Sequence, residues 1–373
     1  MNVLILTKEN NQGGLVTHVI NLANALKAKG HYVAVAGPLA DGEQGRFLEL
    51  RCKYIPMNLA SKNPWKAAAN IRRLCRIINQ KKIDIVHSHN RLASVYAKLA
   101  CQKEKIPFVW TLHLNNIPSG FLHRLFTFYG SRAIVVGSEL IPFCINKLKI
   151  PEKDIVLIYN GVHRQDYRIY DECHKRELRR KWKIQPGDKV IVVLSRLDPV
   201  KGHRKVIEAV WRLKEKQKKD GMEIPLKVLF TGESMVKGYR SSLEEIIKKY
   251  GLERQFVFTG YVKPADVLNV SDLFVLPSDN EGFSISMIEA FLLHVPVVRT
   301  KTGGYADVKE FCYPMKNDVD LQDFLDGFIK GSIEMSARVQ KAYRFAVENC
   351  TCDVMTQRTA DIYQEVLERK RRS

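Results

Sequence analysis

The stretch Glu281-Gly282-Phe283-Ser284-Ile285-Ser286-Met287-Ile288-Glu289 decides the reading of this 373-residue chain, because it sets two carboxylates eight positions apart around the start of a helix. The apolar run Leu273 to Pro277 before it reads as a buried strand, Ser278 to Gly282 as a loop, and Ile285 to Leu293 as a helix ending before Pro296. Val297-Val298 then begins another strand. In such strand-helix-strand units ligands bind beyond the carboxyl ends of the strands, which puts Glu281 in the mouth of the site. The helix N-terminus beside it offers free N–H groups and the positive end of the dipole, which suit a phosphate or a row of sugar hydroxyls. Glu289, about two turns further at ~3.6 residues per turn, hangs below as an acceptor for two vicinal hydroxyls. The combination suits a nucleotide sugar. Taken alone, the pair is equally a solvated loop glutamate and an exposed helix glutamate, so the neighbours matter.

Working outward, strand-like and helix-like segments alternate through both halves. Val3 to Leu6, Tyr32 to Ala36, Ile83 to Val86, Phe108 to Leu112 and Ala133 to Val136 are short apolar runs of parallel-sheet type, with amphipathic stretches such as Leu15 to Lys29 and Trp65 to Gln80 between them. Val190 to Leu194, Leu226 to Phe230, Phe256 to Phe258, Leu273 to Leu276 and Val297-Val298 repeat the scheme. The fold class is therefore α/β, with two doubly wound Rossmann-like domains. The boundary follows Tyr159-Asn160-Gly161-Val162, dividing the chain into 1–165 and 166–352. The final amphipathic segment, about 353–373, has Met355, Ala360, Ile362, Tyr363 and Val366 available for burial, and its own residues do not say on which domain.

Ser195-Arg196-Leu197 and Lys201-Gly202 follow the strand Val190 to Leu194 directly. An arginine fork and a lysine point charge at the carboxyl end of a buried strand can clamp a pyrophosphate. Asn10-Asn11-Gln12-Gly13-Gly14 sits between the first strand and its helix, where Gly13 and Gly14 let backbone amides approach an anion. The third glycine of a dinucleotide fingerprint is missing, which argues against nicotinamide chemistry. His113 closes the strand Phe108 to Leu112. His87 and His89, two apart on one face, could suit a metal but show no third ligand by sequence, and read as cleft-lining or structural. Asp318-Val319-Asp320 precedes a helix-like run, so Asp320 reads as a cap rather than a metal ligand.

Glu281-x7-Glu289 with Gly282-Phe283, set among Ser271-Asp272-Leu273, Pro277-Ser278, Pro296-Val297-Val298 and Gly303-Gly304, resembles the retaining glycosyltransferases of family 4, over the whole chain. The resemblance implies two domains facing across a cleft (the GT-B type), the terminal helix crossing back onto the first, and closure about 162–185. It implies a hexose or N-acetylhexosamine moved from a nucleotide diphosphate sugar, a UDP-sugar before a GDP-sugar, to an acceptor hydroxyl. Arg196 and Lys201 take the pyrophosphate, with no metal and no other cofactor; His113 and Glu281 flank the reacting sugar. Gly13, Gly14, Gly282, Phe283 and Ser284 line the donor, Tyr261 and Val262 the base, and Glu289 the ribose. Ser195 stands where the family usually has glycine, and Thr231-Gly232-Glu233-Ser234 departs from the usual glycine-acid-glycine turn.

Composition bounds the partners. Sixty basic against forty acidic residues give a net charge of +20, which favours anionic surfaces. No helix-turn-helix, zinc-finger or RNA-binding signature is present, so a membrane face is expected before nucleic acid. The segments 71–82 and 121–132 mix basic and apolar or aromatic residues and are either interfacial or ordinary amphipathic helices. The start shows no signal-peptide pattern, no apolar stretch approaches the ~18 residues of a membrane span, and eight cysteines lie scattered without C-x-x-C pairs. The expectation is a cytoplasmic protein, peripheral on the inner face of the plasma membrane, acting on a lipid-linked glycan or envelope polysaccharide precursor. Two other classes stay open on these residues: a nucleotide-sugar epimerase or hydrolase of the same fold, and a non-catalytic anion-binding protein.

Overall fold

A computed structural model of the chain describes residues 1–8, 13–38, 49–61, 63–114, 117–219 and 225–372. These form two compact units, one comprising Met1–His163 with Asn349–Ser373 and the other Arg164–Glu348. The chain returns to the first unit through a parallel bridge between Val162 and Thr351, in which the amides of Val162 and Cys352 donate to the carbonyls of Cys350 and Val162. This places the division a few residues before the sequence boundaries of 165 and 352.

The first unit is built on β1 (Asn2–Leu6), β2 (Tyr32–Gly37), β3 (Lys53–Pro56), β4 (Ile85–Ser88), β5 (Phe108–Leu112), β6 (Ala133–Val135) and β7 (Ile155–Leu157), in the order β3-β2-β1-β4-β5-β6-β7 with every pairing parallel. Alternation along β1 explains why both faces must be covered. Val3 and Ile5 join a core with the helices Gly14–Ala28 and Cys352–Arg372; Leu4 and Leu6 point to the other face, among residues of the helices Pro64–Gln80 and Arg91–Glu104. Each such side chain contributes about 1.5–3 kcal/mol on burial, so the unbroken apolar run is stable only between two helical layers.

The second unit repeats the scheme with β8 (Lys189–Leu194), β9 (Leu226–Thr231), β10 (Phe256–Gly260), β11 (Leu273–Leu276), β12 (Val297–Thr300) and β13 (Tyr313–Met315), in the order β10-β9-β8-β11-β12-β13. In both units the chain steps outward on one side of its first strand and then crosses to the other. The order reverses between β1 and β4 and again between β8 and β11, and a crevice for ligands opens at such a reversal, beyond the strands' carboxyl ends. No helix among the described residues is long and apolar enough to cross a membrane.

Candidate active site

At the reversal in the second unit, the loops after β8 and β11 are locked together by backbone. A Cβ on Gly202 (φ +72°) would sit 2.2 Å from the Pro277 carbonyl oxygen, so only glycine allows the approach. The Asp279 amide donates to the Val200 carbonyl at 2.8 Å, while Lys205 pairs with Asp279. The result puts Lys201 Nζ 2.7 Å from Glu281 Oε1, which also accepts from Ser278 Oγ at 2.7 Å. Both charged side chains are largely shielded, 18% and 10% exposed, so their attraction is weakly screened. Arg196 stands half-buried at the end of β8, and its guanidinium makes no ion pair or side-chain hydrogen bond among the described residues. Point charge and carboxylate are thus paired beside the reversal, with Arg196 two residues beyond the end of β8.

The Glu281 loop is braced from behind. A Cβ on Gly303 would lie 2.0 Å from the Glu281 carbonyl oxygen, and Gly304 (φ +74°) packs on Gly282 and Phe283. Arg299, fully buried on β12, donates from Nη2 to the Gly303 carbonyl at 2.6 Å. A buried guanidinium needs such acceptors to offset its desolvation, and here they fix the turn carrying Gly303. Ser284 caps the helix Ile285–Leu292 by accepting from the Met287 amide. Glu289 is buried on that helix, and Tyr167 Oη donates to its Oε1 at 2.6 Å.

Beside these, Gly232 (φ +135°) would carry its Cβ 2.2 Å from the Ser195 carbonyl oxygen. The Ser195 amide donates to the Thr231 carbonyl, so the loop accommodates serine while keeping Arg196 at the strand end. Glu233 Oε1 accepts from the Tyr261 amide at 3.0 Å, engaging one of the backbone groups near the expected base position; the Tyr261 side chain is half exposed and Val262 partly buried. One reading needs correction. Asn317, not Asp320, caps the helix Asp318–Ile329: its Oδ1 accepts from the Asp320 amide, and the Asp320 carboxylate reaches back to the Lys316 amide, a capping box one residue earlier. Asp318 pairs with Arg212.

At the reversal in the first unit, Gly13 precedes and Gly14 begins the helix Gly14–Ala28, and the Thr17 amide closes on the Gly13 carbonyl. Asn10, Asn11 and Gln12 lie outside the described residues. His113 follows β5, His89 follows β4, and His18 reaches them from the first turns of the helix after β1. His89 Nδ1 lies 3.2 Å from His113 Nε2, and the rings of His18 and His113 meet edge to face at 4.8 Å. His18 Nδ1 is 2.9 Å from Asn160 Oδ1. His87 is spoken for on both sides, by Tyr363 Oη at 2.6 Å and Thr111 Oγ1 at 2.7 Å. Burial lowers all four pKa values, that of His18 to about 4 and that of His87 to about 3, with those of His89 and His113 well below the ordinary value. Mutual repulsion among the rings reinforces this for His87, His89 and His113, so the cluster is neutral at pH 7.

The two amphipathic segments separate cleanly. Leu74, Cys75 and Ile78 of the helix Pro64–Gln80 are buried in the core, leaving Arg72, Arg73 and Arg76 on a solvated face. In the short helix Phe121–Leu125 no residue is buried, and Phe121, Leu122, Leu125 and the following Phe126 are 54–68% exposed beside His123 and Arg124. Sequence reasoning did not single out Tyr167, Arg299 or His18. A lone arginine inside the apolar strand Val297–Thr300 was the available signal for Arg299. Tyr167 and His18 gave none, because their partners lie 122 and 142 positions away.

Two family models match the chain: one described as Glycosyltransferase Family 4 over residues 12–166, and one as Glycosyl transferases group 1 over residues 174–342. Among curated proteins, it is 27% identical over 248 residues to the N-acetyl-alpha-D-glucosaminyl L-malate synthase of Bacillus anthracis, an alignment covering 63% of this chain and 61% of that enzyme. Among solved structures, a glycosyltransferase from Rickettsia africae superposes with a TM-score of 0.85 at 21% identity, covering 98% of both chains. Anabaena HepE in complex with UDP-glucose superposes at 0.83 with 18% identity, covering 98% of this chain and 100% of that one.

Proposed function

The chain belongs to the family 4, group 1 glycosyltransferases, and from that premise we propose that it transfers a hexose or N-acetylhexosamine, with retention and without a metal ion, from a nucleotide diphosphate sugar to a hydroxyl of a lipid-linked glycan or envelope polysaccharide precursor. The observation that carries this reading is the contact of Lys201 with Glu281, which sets a charge suited to pyrophosphate beside a carboxylate suited to sugar hydroxyls. Arg196 and Lys201 face the pyrophosphate and stabilise the charge that develops as the bond from the anomeric carbon to the phosphate oxygen breaks. The acceptor oxygen bonds to the same face of that carbon, and its proton passes to the departing phosphate oxygen. Glu281 orients the sugar, His113 lies on the acceptor side as a neutral ring, and Gly13 and Gly14 present amides to the donor. Glu289, steadied by Tyr167, takes the ribose hydroxyls, and Tyr261 and Val262 flank the base. A UDP-sugar is the donor of choice; the complex of the Anabaena relative with UDP-glucose supports this. The name of the Bacillus anthracis relative supports an N-acetylglucosaminyl donor. The exposed apolar helix Phe121–Leu125 and the +20 charge support docking on an anionic cytoplasmic leaflet.

The test is transfer from UDP-N-acetylglucosamine and UDP-glucose to a short-chain lipid-linked acceptor, in EDTA, followed by proton NMR of the product. An α-linked product from the α-linked donor, formed at the same rate with and without chelator, is expected. A β-linked product sinks retention, a free sugar epimer sinks transfer, and activity restored only by manganese or magnesium sinks metal independence.

A further inference from the structure

We propose that His18, His89 and His113 form a binding site for a divalent transition cation, the zinc ion above all, within the first unit. One ring nitrogen from each lies within 4.8 Å of the other two. A zinc–imidazole bond of about 2.0–2.1 Å sets tetrahedral nitrogens about 3.4 Å apart, so the rings need to close by an ångström or so, within the reach of small side-chain rotations. Two further observations point to a ligand. Nε2 of His18 and Nε2 of His89 are buried without a hydrogen-bond partner, an arrangement that is costly unless something occupies it. Asn160 presents Oδ1 to His18 Nδ1, so Nδ1 carries the proton and Nε2 keeps its lone pair, the outer-shell arrangement that orients a metal-ligating imidazole.

His87 is not a ligand, because Tyr363 and Thr111 engage both of its nitrogens; its ring lies 4.2 Å from that of His89 and backs it. His113 keeps some exposed surface, whereas His18 and His89 are buried. Three imidazoles without a thiolate or carboxylate select zinc, cobalt, nickel or copper over magnesium or calcium.

The site shares His113 with the transferase reading, but metal binding is read with neither donor nor acceptor present, so its outcome does not depend on turnover. The full chain, free of any histidine tag and stripped with a chelator, is titrated with cobalt(II) and then zinc. One equivalent of cobalt should bind with the visible absorption of a tetrahedral site and be displaced by zinc. His18→Ala and His89→Ala should each weaken binding at least tenfold, while His123→Ala, an exposed histidine, leaves it unchanged. Should the cluster variants not fold by circular dichroism, X-ray absorption of the zinc-loaded native chain decides, with three imidazole shells expected. No saturable cobalt signal, one that survives both cluster substitutions, or fewer than three imidazoles around zinc overturns the site.

Discussion

In the proposed transferase Lys201 and Arg196 meet the donor from different states of readiness, and that difference can be measured. Lys201 is already engaged by Glu281 at 2.7 Å in a shielded setting, whereas the Arg196 guanidinium makes no ion pair or side-chain hydrogen bond among the described residues. Removing one partner of a shielded ion pair leaves the other desolvated and unpaired, which costs stability as well as chemistry. Removing a cation that waits for ligand costs chemistry alone. Both Lys201→Ala and Arg196→Ala are expected to lower kcat/KM by roughly two orders of magnitude or more, since each charge acts where negative charge develops. Only Lys201→Ala should also lower the melting temperature, read by calorimetry without donor. Near-native turnover in either variant, or equal melting shifts in both, contradicts the arrangement. The glutamates of this site announce themselves by their spacing, and Lys201 by its place after a strand. Tyr167 and Arg299 act through contacts that no local pattern encodes.

At the scale of elements, legibility followed burial. Phe108–Leu112 and Leu273–Leu276 were readable to the residue, because central strands of a parallel sheet are apolar on both faces. The three strands that escaped the pattern, Lys53–Pro56, Ile155–Leu157 and Tyr313–Met315, all lie at sheet edges, where one side is unpaired and residues such as Lys53, Pro56 and Pro314 are tolerated. The basic-apolar segments show the converse limit: periodicity alone could not tell a helix packed on a sheet from one facing outward. With Phe121, Leu122, Leu125 and Phe126 exposed, replacing the four by serine should leave the fold intact and abolish binding to anionic vesicles. Replacing Arg72, Arg73 and Arg76 by alanine should only weaken it, at about 1 kcal/mol per charge. Co-sedimentation at low and high salt, with neutral vesicles as control, separates these outcomes. Equal binding by the serine variant and the native chain would remove this helix from the docking surface.

At the scale of the whole molecule, the two units carry separate cores and different numbers of buried histidines. The first holds His18, His87, His89 and His113, all depressed below the ordinary histidine value by burial; the buried histidine of the second is His203, lowered to about 4. A histidine kept neutral in the folded state binds fewer protons there than in the unfolded chain once the pH falls below about 6.5. Its contribution is therefore fully present above that value and is lost as the pH falls, completely at about 4 for His18 and about 3 for His87. The shift of His18 alone is worth on the order of 3 kcal/mol, comparable with a large fraction of a domain's net stability of about 5–15 kcal/mol. Those four, with half-buried His31 also lowered, against His203 and the half-buried, lowered His294 should make the first unit unfold at a higher pH than the second, in two steps rather than one. A chain carrying Trp182→Phe and Trp211→Phe retains tryptophan only at 65 and 110, both in the first unit. Its fluorescence should report denaturation by moderate urea at pH 4.5 and not at pH 7, while a chain with tryptophan only at 182 and 211 remains folded under both conditions. A first unit as resistant at pH 4.5 as at pH 7 would mean that the four histidines are solvated or paired in solution, and the neutral cluster would have to be abandoned.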